Sequence, residues 1–429
     1  MYQLIPRNFF PDFNLDDKNG RTRLYNILEK RFLTITVIPK NNYRENDAMK
    51  ILVLGSGMMG RAIAYDLCKQ SNFDTVAVAD RYRQTLQSAE KFLEGEEIDF
   101  LTLDVEKTDD VKKHFQKYDI AISAVPYKFN YDLAKNAIET QTHFLDLGGN
   151  NDVVERERSL FRKARKNSVI IVPDCGLAPG LTSVITRNIV EQMDSVDYVK
   201  LRVGGLPLHP EPPLDYQIVF SPYGLINEYV EDAVVLDHDR IIKKKSMTEL
   251  ETIEFPEPFG KMEAFLTSGG CSTLPYIFKD KVGYLDYKTI RYPGHCEKFK
   301  TLLDLGFAGE NEIKIGGQKV VPRDLFAKLL LKHLPVNGKD VVLLKVLSKG
   351  IKNGKKLQVE YLMMDYYNEK NNVTAMMRTT GYPVSITAQM IERSIIKERG
   401  VFCSEEIVPC KPFFEELKKR NIHIKKKIK

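Results

Sequence analysis

The hexapeptide Gly55-Ser56-Gly57-Met58-Met59-Gly60 follows directly on the apolar run Ile51–Leu54, and an acid, Asp80, closes the next apolar run, Thr75–Ala79. No other feature of the chain restricts its fold as much. A G-x-G-x-x-G on its own is a common turn. Between a strand and a helix, with an acid about 20 residues further on, it predicts a cradle for a dinucleotide. Gly55 permits the tight turn, Gly57 removes the side chain where a pyrophosphate approaches, and Gly60 lets the helix lie against the strand. The helix that opens at Met58 and Met59 presents free N–H groups and partial positive charge to the phosphates. Asp80 is placed to accept hydrogen bonds from the adenosine ribose, and its charge repels a 2′-phosphate, which favours NAD. Arg81 and Arg83 stand beside it and are the groups that accommodate NADP instead.

From residue 50 the pattern alternates strand and helix. After Ile51–Leu54 and Thr75–Ala79 come apolar runs at Phe100–Val105, Asp119–Val125, His143–Leu147 and Val169–Val172. Such alternation implies a parallel sheet covered on both faces. Ligands of such sheets lie beyond the carboxyl ends of the strands. Asp104-Val105 is therefore expected near the adenine, and Ala124-Val125-Pro126 with Tyr127 along the pyrophosphate and nicotinamide. After about residue 190 the runs alternate in polarity, as at Val341–Val346 and Leu357–Met364, with turn signals at Gly316-Gly317 and Asn353-Gly354. This reads as an α+β domain with a mainly antiparallel sheet.

The fold class expected is α/β, a Rossmann dinucleotide-binding domain plus an α+β substrate domain. Residues 1–48 form an extension and Met49 is the functional start. The Rossmann domain is 49–190 and the substrate domain 191–380. A helix near 384–397, in a segment 381–410, returns to the first domain, and a basic tail occupies 411–429.

Composition adds exclusions. Hydrophobic residues make up 43% and charged residues 28% of the 429, ordinary values for a globular enzyme. The formal charge of +6 is carried by the tail, where eight Lys and Arg face two Glu, so the rest is near neutral and no nucleic-acid partner is expected. The tail reads as a solvated, partly frayed terminus. No window reaches the roughly 18 apolar residues of a membrane span. Arg7, Asp12, Asp16, Asp17 and Arg21 interrupt the place of a signal core, so a cytoplasmic location is expected. Six cysteines without a CxxC read as thiols, and seven histidines without an HxxxH give no metal site.

Specific segments then carry a resemblance: LDLGG at 145–149, PDCGLAPG at 173–180, PEPPLDY at 210–216, TSGGCSTL at 267–274, YKTIRYPGH at 287–295 and KERGV at 397–401. Over about 360 residues the chain resembles the lysine 6-dehydrogenase branch of the saccharopine dehydrogenase superfamily. The resemblance implies hydride transfer between NAD(P) and a C–N bond of a small amino-acid substrate, and a homo-oligomer. In that branch the ε-amine of L-lysine is oxidised, ammonia leaves and the semialdehyde cyclises. Saccharopine reductases carry an acid where this chain has Ala178 and a lysine near Gln141, which turns the expectation toward a smaller amine. Saccharopine or carboxynorspermidine remain alternative substrates. A cofactor-binding sensor without catalysis, and a tail that binds acidic partners, are the rival classes.

The chemistry needs a carboxylate-binding cation and a base for an ammonium of pKa about 10.4. Arg291 is the candidate cation, since a guanidinium fork matches a carboxylate. His295 is the preferred base or proton shuttle. Asp146, Asp174 and Glu263 are rival carboxylates. Thr267 and Ser268, beside two glycines, are candidates for the substrate pocket, with Tyr127.

Overall fold

In this computed structural model, which describes residues 49–336 and 338–429, the apolar run before the glycines forms β1 (Lys50–Leu54), and the glycine loop passes into helix α1 (Met58–Gln70). β2 (Thr75–Asp80), β3 (Asp99–Thr102), β4 (Ile120–Ser123), β5 (His143–Asp146) and β6 (Ile170–Val172) follow, and all pair in parallel in the order β3-β2-β1-β4-β5-β6. Gly400–Val401 adds a last parallel strand beside β6. The strand order reverses between β1 and β4, which opens a crevice at their carboxyl ends. Alternation sends Ile51 and Val53 to one face and Leu52 and Leu54 to the other, and all four are fully buried.

β7 (Ser195–Pro207) begins a second sheet of nine strands among the described residues. It runs parallel to strand Val282–Arg291 on one side and antiparallel to Asp340–Lys352 on the other. Every other pairing in that sheet is antiparallel. Asn353 and Gly354, at φ 51° and 72°, turn Asp340–Lys352 into Lys355–Tyr366, the geometry that an Asn-Gly pair favours in a two-residue hairpin loop. The α/β class with a parallel Rossmann sheet and a mainly antiparallel second sheet is therefore as expected.

Two elements differ from expectation. The helix placed near 384–397 is Ala375–Glu392, with Pro383 inside it. Proline is commonest at a helix start, which explains the misplacement. The true start is fixed by Thr374 Oγ1, which accepts from Met377 N at 3.0 Å, and by Asp340, which accepts from Ala375 N and Met376 N at 2.6 and 2.9 Å. This helix packs on α1, and a Cβ on Gly381 would meet Ala62 at 3.2 Å. The tail is the second difference. Residues Cys410–Lys419 are helical and Lys425–Ile428 pair with Lys355–Tyr366 as an edge strand. Main-chain pairing holds this strand while its lysines stay exposed, a common way to blunt a sheet edge. The expectation for residues 1–48 lies outside the described residues.

Candidate active site

Each loop glycine has its own environment. Gly55, at φ +96°, donates to Ala79 O at 2.7 Å, and a Cβ there would stand 2.8 Å from Ala124 O. A Cβ on Gly60 would stand 1.8 Å from Gly55 O. Gly57 has no atom within 4 Å of that position, so its outer side is open. The first turn of α1 carries no acid and its N-cap makes no side-chain hydrogen bond. Open space over Gly57 and free N–H groups behind it fit a pyrophosphate.

Asp80 ties this loop to β2. Its Oδ2 accepts from Ser56 N and Ser56 Oγ, each at 2.9 Å, and its Oδ1 accepts from Tyr82 N at 2.9 Å. Arg81 lies over the Tyr82 ring at 4.7 Å and pairs with Glu106 at 3.4 Å and Asp104 at 4.0 Å. Arg81, Tyr82 and Asp104 line a shallow groove with Lys107 and His114, beyond the carboxyl ends of β2 and β3. Asp104 is in the groove. Val105 turns instead to the apolar core, against the expectation for it.

Beyond the carboxyl ends of β4 and β5 lies a cavity of about 290 Å³. Val125, Pro126 and Tyr127 after β4, and Leu147 to Gly149 after β5, form one side. Helix Pro222–Val230, Ser268, Gly269 and the end of strand Val282–Arg291 form the other. Asn227 Nδ2 donates to Tyr127 Oη at 2.9 Å and joins the two sides. Of the expected substrate residues, Tyr127, Ser268 and Arg291 line the cavity. Thr267 does not, and its buried Oγ1 has no partner.

Arg291 is 2% exposed. Its Nε donates to Tyr229 Oη at 2.8 Å, and its Nη1 to Thr289 Oγ1 and Ile290 O at 2.7 and 2.8 Å. Its Cζ sits 4.8 Å from the Tyr216 ring centre. Among the described residues nothing accepts from Nη2, and no carboxylate pairs with the guanidinium. Arg291 thus presents one unused guanidinium donor at the cavity wall, with the Glu228 carboxylate as the charged group that acts on it there.

His295 is not at the wall. It is fully buried, with Nδ1 2.8 Å from Leu214 O and Nε2 3.1 Å from Tyr229 Oη. The carbonyl can only accept, so Nδ1 carries the proton, Nε2 accepts from Tyr229, and Tyr229 accepts from Arg291. Burial, then Arg291, pushes the imidazole down to about 3, so it is neutral and both nitrogens are used. This corrects the expectation of a base: His295 orients Tyr229 and, through it, Arg291. Glu263 is also placed elsewhere. It accepts from Gly294 N and Cys296 N at 2.8 and 2.6 Å and caps helix His295–Asp304.

Asp146 and Asp174 stand behind the cavity wall. Asp146 Oδ1 accepts from Gly148 N at 2.7 Å, and Asp174, at φ 60°, accepts from Ser272 Oγ. Glu157 joins them. Among the described residues no separate donor reaches its two carboxylate oxygens or Asp146 Oδ2, and the two acids face each other as a pair that a shared proton joins. Burial, reinforced by Asp146, raises Glu157 well above its usual range, and burial pushes Asp146 up to about 6. The native state thus holds protons that the unfolded chain has released above about pH 4, and by linkage stability falls as pH rises through that window. Glu157→Gln is therefore expected to match wild type near pH 5 and to be the more stable of the two near pH 8, as read by denaturant melts.

Two acids in this region went unnoticed in the sequence. Glu157 lies in Asn151–Arg158, which reads as a charged surface helix, but it shares an inward face with Val154. Glu228 lies on the cavity wall, in helix Pro222–Val230. With Glu231 and Asp232 close behind it, Glu228 reads as one of a run of surface acids, and the sequence offers no signal that sets it apart.

The family model for the saccharopine dehydrogenase NADP binding domain matches residues 51–172, and that for the saccharopine dehydrogenase C-terminal domain matches residues 176–422. The chain belongs to the saccharopine dehydrogenase family. The cofactor class expected from the glycine loop, a nicotinamide dinucleotide, is the family's own. Among relatives, the mouse mitochondrial alpha-aminoadipic semialdehyde synthase is 22% identical over 82% of this chain and 45% of its own length. The chain spans about half the length of the first curated relatives it matches, at 45% and 47%. The carboxyaminopropylagmatine dehydrogenase of a Synechocystis strain is 23% identical over 86% of this chain and 95% of its own length. The solved saccharopine dehydrogenase (L-Glu forming) of Saccharomyces cerevisiae superposes with a TM-score of 0.73 at 21% identity, over 89% of this chain and 100% of that one. That likeness supports the family fold. No helix among the described residues is long and apolar enough to cross a membrane.

Proposed function

We propose that this protein is an NAD(P)-dependent oxidoreductase that acts at a C–N bond of a small amino acid, and that its substrate is L-lysine, oxidised at the ε-amine. The observation that carries the reading is Arg291, a buried guanidinium with a free Nη2 on the cavity wall. Bound along the glycine loop, the dinucleotide supplies the hydride acceptor. The chain supplies orientation: Arg291 holds the substrate α-carboxylate, Tyr229 and Thr289 hold Arg291, and Tyr127 and Leu147 to Gly149 shape the end of the cavity nearest the first sheet.

The charge pattern supports the substrate size. Among the described residues that line the cavity, Arg291 is the cation and Glu228 the anion. The pair matches the α-carboxylate and one of the two ammonium groups of L-lysine. Saccharopine brings three carboxylates and would leave two without a cation. Ala178, in place of an acid, lines the same cavity. A second reading, a longer secondary amine that carries a single carboxylate, is supported by the one cation of the cavity and by the match to carboxyaminopropylagmatine dehydrogenase. NAD is the preferred cofactor, because the Asp80 carboxylate at the end of β2 would repel a 2′-phosphate, while Glu106 and Asp104 hold Arg81.

Initial rates of cofactor reduction, with NAD or NADP and with L-lysine, saccharopine or carboxynorspermidine at alkaline pH, test this. The expected result is reduction with L-lysine and NAD and release of ammonia. Tight cofactor binding without turnover of any amine would move the function to a sensor.

A further inference from the structure

We propose that Glu228 is the catalytic base that takes the proton from the substrate amine while Arg291 holds its carboxylate; this rests on the amine-oxidation reading above. The geometry selects it. Glu228 lines the cavity, and among the described residues its carboxylate makes no hydrogen bond and no ion pair. Its oxygens are absent from the buried orphan atoms, so they look onto the cavity rather than into packed protein. Its rivals are occupied elsewhere. Both nitrogens of His295 are engaged, Glu263 caps a helix, and Asp146 and Asp174 lie behind Gly148.

The surroundings suit the task. Burial pushes Glu228 up to about 7, Arg291 pulls it down, and Glu231 pushes it up further. The groups that act on it are Arg291 and Tyr287 from strand Val282–Arg291, Tyr216 from the segment before its helix, and Tyr229 and Glu231 beside it. An ordinary carboxylate is a poor base for an ammonium of pKa about 10.4, and one raised toward neutrality is better matched. The step balances. The Glu228 carboxylate takes one N–H proton and becomes a carboxylic acid, and the amine gains a lone pair. The C–H bond on the carbon bearing nitrogen breaks, and its electron pair leaves as hydride to the oxidised nicotinamide. The carbon, now an iminium, adds water, and the C–N bond breaks to release ammonia and an aldehyde.

Glu228→Gln and Glu228→Asp test it with two readouts. The first is the pH profile of kcat/KM. Wild type is expected to lose activity below about pH 7, because the base form is lost as pH falls through the raised pKa. Glu228→Gln is expected to lower kcat by ~10²–10⁴ and to lack that limb, with activity climbing toward the free-amine pKa, and Glu228→Asp to keep the limb at reduced rate. The second is calorimetric binding to the enzyme–NADH complex, which cannot oxidise an amine, of L-lysine and of L-norleucine, which keeps the α-amine and lacks the ε-amine. Wild type is expected to prefer L-lysine by roughly 10- to 100-fold, and Glu228→Gln to lose most of that preference. A Glu228→Gln enzyme that keeps the limb, the rate or the preference overturns the proposal. A wild type that binds NADH and oxidises no amine overturns the functional reading itself, and this proposal with it.

Discussion

Arg291→Leu is expected to lower kcat/KM for L-lysine by about 10²–10³, and to change the rate with 1,5-diaminopentane, which has no carboxylate, hardly at all. The magnitude follows from removing one partner of a desolvated charge pair, which costs ~2–5 kcal/mol, with tenfold in rate for each ~1.4 kcal/mol. The contrast between the two amines isolates the carboxylate from every other effect. Arg291→Lys is expected to recover little. Nε and Nη1 are committed to Tyr229, Thr289 and Ile290, and this fixes the plane in which Nη2 is offered. An ammonium on a flexible stem offers no such plane. The fold should survive the change at a cost of about 1–3 kcal/mol, because Tyr229 and Thr289 lose a donor. Unchanged affinity for NADH would verify that. Equal losses with both amines would show that Arg291 braces the cavity and does not hold the substrate.

What the sequence disclosed followed the range of the forces involved. The glycine loop, β1 and Asp80 belong to one strand–helix–strand unit whose apolar period and fixed glycine-to-acid spacing the sequence displays directly. Arg291 was legible because a guanidinium amid Tyr287, Ile290 and Tyr292 needs a reason to be there. His295 and Glu263 were misassigned because their partners, Leu214, Tyr229 and Gly294, are brought together only when helix Pro222–Val230 and strand Lys261–Leu266 meet strand Val282–Arg291. Their residue types suit acid–base work, but their hydrogen bonds leave no capacity for it. Glu228 was overlooked for the complementary reason. Nothing in its residue type distinguishes it from a surface glutamate, and only the cavity beside it does. The tail followed the same rule: a run of lysines reports charge and conceals the main-chain pairing that orders it.

Gly57→Ala and Gly60→Ala, three residues apart, are expected to fail in opposite ways. Gly57 has φ −66° and ψ −169°, a conformation open to any residue, and no atom lies within 4 Å of where a Cβ would stand. The alanine variant should therefore fold with a thermal midpoint close to wild type. Its methyl group enters the space a pyrophosphate needs, and displacing those phosphates from the α1 N–H groups is expected to weaken NAD binding by about 100-fold, ~2.7 kcal/mol. At Gly60 the methyl would stand 1.8 Å from Gly55 O and 3.6 Å from Val53 Cγ1. The Val53 contact is an ordinary one, but Gly55 O cannot yield cheaply, because it belongs to the turn itself. Relief requires α1 to move off the sheet and to give up part of its packing against helix Ala375–Glu392, a loss on the scale of several kcal/mol typical of overpacked cores. Gly60→Ala should thus lose thermal stability first and cofactor affinity as a consequence, whereas Gly57→Ala should lose affinity alone. Melting curves and fluorescence titrations with NADH, run on both variants, separate the two. If Gly57→Ala binds NADH as wild type does, the phosphates do not cross that glycine, and the dinucleotide takes another path over the parallel sheet.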